Sequence, residues 1–206
     1  MPITTFRTLV ATLLLLSAPC VAVAGFKEGL SAYYFGNYAT ALKEFRPLAE
    51  GGQPEAQFYL GVMYYSGKAV PQDYAEAVRW YRAAAEGGYH RAMSNLGWMY
   101  SRGKGVRQDY TQALRWYQSA AEKGLAEAQY NLGVMYKEGY GVPKDYTRAH
   151  MWFNLAAVNG HEHAYNARLA LSKSMTPRQI DDAQNLAKDW KPTGKEACHA
   201  SSSSIC

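Results

Sequence analysis

The chain reads as an all-α repeat solenoid. Three observations carry that reading: one spacing of 36 residues recurs through the chain, apolar residues fall at helical intervals inside each unit, and stop and start residues flank them. Leu60-Gly61 recurs as Leu96-Gly97 and Leu132-Gly133. Asp73-Tyr74 recurs as Asp109-Tyr110 and Asp145-Tyr146, and Trp80-Tyr81 as Trp116-Tyr117 and Trp152-Phe153. Ala84-Ala85 recurs as Ala120-Ala121 and Ala156-Ala157, with Gly88, Gly124 and Gly160 closing the units. Repeats are expected over about 53–88, 89–124 and 125–160.

Each unit predicts two helices. The first covers about 54–66, with Ala56, Leu60, Met63 and Tyr64 on one face, and Gly67 suits the left-handed residue that stops it. After a short loop, Asp73 stands at an N-cap, and Glu76 three residues on predicts a capping box. Asp109 with Gln112 repeats the device, whereas Asp145 is followed by Arg148, which cannot supply the acceptor. The second helix covers about 74–86, with Tyr74, Ala77, Val78, Tyr81, Ala84 and Ala85 on one face. Its alanines allow close helix approach, while the aromatic rings fill the gaps between pairs.

The end units differ, as terminal repeats do. A degenerate first pair, 26–52, lacks the long loop and turns at Gly36-Asn37. An end cap, 161–190, begins a further first helix at Ala164. It closes on a helix over 177–190 that is introduced by Thr176, Pro177 and Gln179. There Ile180, Ala183, Leu186, Ala187 and Trp190 are expected to cover the core end.

The N-terminus has the three parts of a secretory signal peptide: Arg7, an apolar run over 9–18, and Ala22-Val23-Ala24. Cleavage after Ala24 is expected, so that 1–24 is the signal, 25–190 the solenoid and no transmembrane segment remains. Thr12, Ser17 and Pro19 interrupt a run shorter than the ~20 residues a spanning helix needs. Pro19 before Cys20 argues against a lipoprotein site. At the other end, 191–206 contains Pro192, Gly194 and four consecutive serines, a composition expected to stay disordered. Its Cys198 and Cys206 can pair with each other or join two chains in an oxidising compartment. The net charge of +5 is spread among Asp and Glu without a basic run, which gives no footprint for nucleic acid.

The string from Ala128 through Leu132-Gly133 to Tyr136, followed by Gly139-Tyr140-Gly141-Val142 and Asp145-Tyr146, resembles the Sel-1-like repeat, a relative of the tetratricopeptide repeat. The resemblance covers about 26–190 and implies a right-handed α-α superhelix of antiparallel pairs with a C-terminal capping helix. It also implies adaptor-type protein binding. Exported bacterial members include envelope regulators, host-interaction factors and immunity proteins that neutralise lipase toxins. A cysteine-rich branch linked to penicillin binding carries a disulfide in each repeat, and this chain has no cysteine between positions 25 and 197.

Candidate chemistry is sparse. Ser101-Arg102-Gly103-Lys104 fits S-x-x-K, where Lys would serve as base to a nucleophilic Ser, but no S-D-N or K-T-G partner accompanies it. His161-Glu162-His163 offers fewer converging ligands than a metal site needs. Asp73, Asp109 and Asp145 are accounted for as caps. No catalytic residue, metal site or cofactor is assigned.

In a solenoid of this type the first helices line the concave face. The side away from the core then carries Phe58, Val62 and Tyr65, followed by Ser94, Trp98 and Arg102, and by Tyr130, Val134 and Lys137. The front unit adds Tyr34 and Phe35 with Lys27 and Ser31, and the rear adds Asn166 and Lys173. Aromatics flanked by cations are the composition of protein-binding hot spots. Trp98 is the most telling of them, since Val62 and Val134 hold the matching places. The alternative for Phe58 and Tyr130 is packing between neighbouring first helices. The expectation is a periplasmic or secreted, non-enzymatic protein-binding module whose partner is an envelope protein or secreted effector. Its sharpest form is an immunity-type or inhibitory protein. The alternatives are an envelope adaptor or regulator, a host-interaction factor, and a cell-wall-active hydrolase of penicillin-binding type.

Overall fold

A computed structural model describes residues 18–193, and among these every regular element is helical. Helices α1 (Ala18–Tyr34) and α2 (Tyr38–Glu50) form the front pair. The repeats are α3 (Pro54–Ser66) with α4 (Tyr74–Glu86), α5 (His90–Arg102) with α6 (Tyr110–Glu122), and α7 (Ala126–Glu138) with α8 (Tyr146–Val158). Helices α9 (Ala164–Ser172) and α10 (Pro177–Asp189) end the chain. Each first helix packs on its own second helix and on the second helix of the unit before it, which is how a solenoid grows. Among the described residues no helix is long and apolar enough to cross a membrane.

The Leu-Gly signature has a packing cause. A Cβ on Gly61, Gly97 or Gly133 would lie 2.8, 2.9 or 2.5 Å from the ring of Tyr81, Tyr117 or Phe153. Glycine lets the two helices of a pair close until that ring rests on bare backbone, and the adjacent Leu60, Leu96 and Leu132 are fully buried. The first helices stop where expected: Gly67, Gly103 and Gly139 take φ of 69, 63 and 79° and donate to the carbonyls of Met63, Met99 and Met135.

The Asp caps hold, but neither the box expected at Glu76 nor the one expected at Gln112 forms. Asp73 accepts from the amides of Ala75 and Glu76, and Asp109 from those of Thr111 and Gln112. Glu76 does not reach back to complete a box; its carboxylate forms a 2.8 Å ion pair with Arg79 instead. The reciprocal box occurs at Thr176 and Gln179, ahead of α10.

The ends depart further from expectation. Helix α1 starts eight residues before Phe26, so Ala22-Val23-Ala24 lies within its backbone. Residues 9–17 of the apolar run over 9–18, and both Cys198 and Cys206, lie outside the described residues. Helix α10 packs on α8 rather than on α9, with Ala183 and Ala187 buried and Trp190 edge-on to Trp152 at 5.7 Å. Leu186, expected in the core, points to solvent. The chain then folds back to the second repeat, where the Thr193 amide donates to the Glu122 carbonyl at 2.7 Å. The first residues of the expected tail are therefore held, and 194–206 lies outside the described residues.

Candidate functional site

Clefts open between neighbouring first helices in the three repeats. The cleft between α3 and α5 has a volume of about 310 Å³ and is lined by Val62, Tyr65, Tyr81, Asn95, Trp98 and Met99. The cleft between α5 and α7 has a volume of about 460 Å³; Trp98, Val134, Tyr117 and Tyr140 line it with Ser101, Arg102, Glu127, Asn131 and Glu138. Trp98 is the wall common to both. Its indole stands edge-on to Tyr65 at 5.8 Å, and Tyr65 leans on Tyr74 at 5.4 Å. One half-buried tryptophan, braced by a tyrosine, thus separates an apolar hollow from a polar one.

The floors of these clefts are tyrosine rings. Tyr81 and Tyr117, the rings that sit on Gly61 and Gly97, bring their hydroxyls towards the clefts beside Asn95 and Ser101. Burial pushes the Tyr81 phenol well above its ordinary value and that of Tyr117 up to about 12, so both stay neutral hydrogen-bonding groups. At the rim Glu138 is paired with Lys137 at 2.8 Å, which holds its carboxyl below the usual range. Arg102 is exposed and has no ion-pair partner among the described residues. Asn95 was not singled out by sequence reasoning. The signal was available in the register, because Tyr59 and Asn131 hold the matching places.

Val62, Tyr65 and Trp98 line the first cleft, and Trp98, Arg102 and Val134 the second. Lys137 lies at the rim, and Asn166 is exposed on α9, beyond the two clefts. Phe58 and Ser94 require correction, since they are only 8% and 5% exposed. Their position faces the following unit rather than the groove. Tyr89 packs on Phe58 at 5.0 Å; one repeat later Leu125 and Ser94 hold the same two places. In the third repeat His161 stacks on Tyr130 at 4.2 Å, which places Tyr130 in the same joint.

Tyr34 and Phe35 also fall elsewhere. Gly29 lies under the Phe45 ring as Gly61 lies under Tyr81, so the first helix of the front unit is level with the next one at a shift of 32 residues, while the second helices keep the 36-residue spacing. Leu30 and Tyr33 are therefore level with Val62 and Tyr65. Tyr34 sits at the helix end with its hydroxyl 3.1 Å from that of Tyr59, and Phe35, 88% exposed, occupies the turn.

The other motifs are engaged structurally. Ser101 Oγ donates to the Trp98 carbonyl at 2.9 Å, while Lys104 Nζ rests on the Tyr74 ring at 5.2 Å. His161 Nε2 meets Glu127 at 3.1 Å, and among the described residues no group of three or more His, Cys, Asp or Glu is placed to hold a metal.

The comparisons agree with this geometry. Sel1 repeats match at residues 54–89, 90–125 and 126–161. The crystal structure of a Sel1 repeat protein from Oxalobacter formigenes is similar, with 34% identity and a TM-score of 0.68 over 81% of this chain and 72% of that one. A protective antigen of uropathogenic Escherichia coli strains, which displays an SLR fold, is 29% identical with a TM-score of 0.58. The match covers 81% of this chain and 44% of that one, so this chain spans less than half of its length. No functionally curated protein matches. Three consecutive repeats with their glycine-on-ring pairs, caps and clefts in register place the chain in the Sel1 repeat family.

Proposed function

We propose that this chain is an exported protein-binding module that holds a segment of its partner across Trp98, and that it acts as an immunity-type or inhibitory protein on an envelope partner. Sel1 repeats are protein-interaction scaffolds, and the partners they suggest are proteins. The observation that carries the finer reading is the place of Trp98. A tryptophan stands where the neighbouring units carry Val62 and Val134, and it walls two clefts at once. Packing alone is served by valine there. Large aromatics in partly desolvated pockets are the side chains on which interface energy concentrates. The apolar run and small-residue site at the N-terminus support export, and cleavage after Ala24 retains Phe26, which packs on Phe45 at 5.7 Å. A host-contact role is the second reading, favoured by the likeness to the uropathogenic antigen.

The test is affinity capture from periplasmic extract with the exported protein, using Trp98→Ala as control. One envelope protein enriched by the parent and lost with Trp98→Ala, at unchanged helicity, is the expected result. Equal capture by both would remove the concave face from the function. N-terminal sequencing of the exported chain is expected to begin at Gly25, and an intact Met1 in the envelope fraction would overturn the cleavage reading.

A further inference from the structure

Each repeat's first helix has two buried positions, one turn apart, along its seams with second helices. The first is held by Gln57, Met93 and Gln129; Gln57 donates to the Ala49 carbonyl of the preceding second helix, and Gln129 donates to the Ala121 carbonyl of the preceding one while accepting from Asn159 at the end of its own. The second is held by Gly61, Gly97 and Gly133, under the rings of Tyr81, Tyr117 and Phe153. One repeat beyond Gln129 and Gly133 stand Tyr165 and Leu169 of α9. These are 55% and 52% exposed. The other face of α9 is seated normally, since Ala164 and Leu171 are buried as Ala128 and Met135 are in α7. Helix α10 does not close the open face, because it packs on α8 and leads the chain away towards Glu122. Helix α9 thus holds the place of a first helix without a second.

We propose that this open face of α9 is a docking slot for an amphipathic helix of another protein, lying where a second helix lies in every repeat. The slot defines the chemistry of its occupant. Leu169 fills the space that glycine leaves elsewhere, so the incoming helix presents alanine or glycine at the point where α4, α6 and α8 present a ring. Arg168 lies over the Tyr165 ring at 5.3 Å and also donates to the Asn154 side-chain oxygen of α8, while the exposed Lys173 follows at the helix end. Neither is in an ion pair among the described residues, so an acidic flank on the occupant complements the slot. The front end of a second copy does not fit. Its α1 presents Glu28 and Ser31, both exposed, at the levels of Leu60 and Met63, which blunts that end with polar groups.

The test uses the full chain, isotope-labelled for NMR, and a helix-stapled peptide of residues 74–86 carrying Tyr81→Ala with Arg79→Gln and Arg82→Gln, so that Glu76 and Glu86 leave it acidic. Saturable shifts at Tyr165 and Leu169 are expected, with affinity reduced about tenfold or more by Leu169→Glu and unchanged by Trp98→Ala. Leu169 is half exposed, so the charged variant retains the fold, which circular dichroism checks. Absence of saturable shifts in α9, or equal affinity for the Leu169→Glu variant, overturns the proposal. So does a concentration-dependent dimer that Leu169→Glu dissolves, which would seat a second copy there.

Discussion

The two clefts on either side of Trp98 share a backbone and differ in chemistry. Between α3 and α5 the walls are Val62, Tyr65, Tyr81 and Met99, with Asn95 as the one amide. Between α5 and α7 the wall carries Arg102, Glu127, Asn131 and Glu138. Their joints differ in the same sense: Phe58 against Tyr89 closes the first with two tilted rings, while Ser94 and Leu125 hold those places in the second. A repeat protein can therefore keep helix spacing constant and vary recognition from unit to unit. The dry cleft suits one bulky apolar side chain, and the polar one supplies orientation and selectivity.

The largest effects are expected where backbone meets backbone across a joint. A Cβ on Gly105 would lie 2.2 Å from the Tyr74 carbonyl oxygen, and one on Gly141 2.5 Å from that of Tyr110, both at positive φ. Gly105→Ala and Gly141→Ala should each cost about 3 kcal/mol or more in urea unfolding. The matching place in the first repeat is Ala69, at φ 58°, so Ala69→Gly should change stability by no more than about 1 kcal/mol. A neutral Gly105→Ala would show that the joints are looser than described. Next, Phe58→Ala should cost about 3 kcal/mol and Ser94→Ala less than about 1, which separates the aromatic joint from its neighbour. Equal costs would abolish the distinction.

For binding, Tyr65→Ala removes the brace of Trp98 and should weaken partner capture about tenfold, mostly through faster dissociation. Arg102→Ala should act on association rate and salt dependence instead, as read by surface plasmon resonance. The smallest effect concerns pH. Burial, and then the Arg168 charge, lower the His150 pKa below its ordinary 6.5. The unfolded chain therefore takes up a proton that the folded chain resists. Stability is full above about pH 6.5 and falls as pH drops below it. His150→Gln should flatten that acid slope in thermal unfolding between pH 7 and 5, and an unchanged slope would assign it to other groups such as His90, which burial lowers in the same way.

The fold was legible because one period carries all its signals. Leu60-Gly61, Asp73 and Gly67 each report a local geometry, and local geometry repeats with the sequence. The site was legible only in part. Trp98 stood out against Val62 and Val134, but Phe58, Ser94 and Tyr130 share the helix-wheel position of groove residues while facing the next unit. Periodicity within one helix cannot distinguish a side chain that faces a groove from one that faces a neighbour. The ends failed for a related reason. Leu186 fits a helical apolar stripe, yet the helix that α10 meets is α8, a choice that depends on Trp152 and Trp190 finding each other in space.

That return of the chain has a mechanical consequence. A stack of repeats ordinarily frays from its ends, one unit at a time. Here the contact of Trp190 with Trp152 and the bond from Thr193 to Glu122 fasten the terminus across two units, like a strap buckled behind the last plate of a stack. Opening the last repeat therefore requires releasing the one before it. Amides of α6 and α8 should exchange with solvent as one cooperative block, while the front pair, lacking such a strap among the described residues, opens independently.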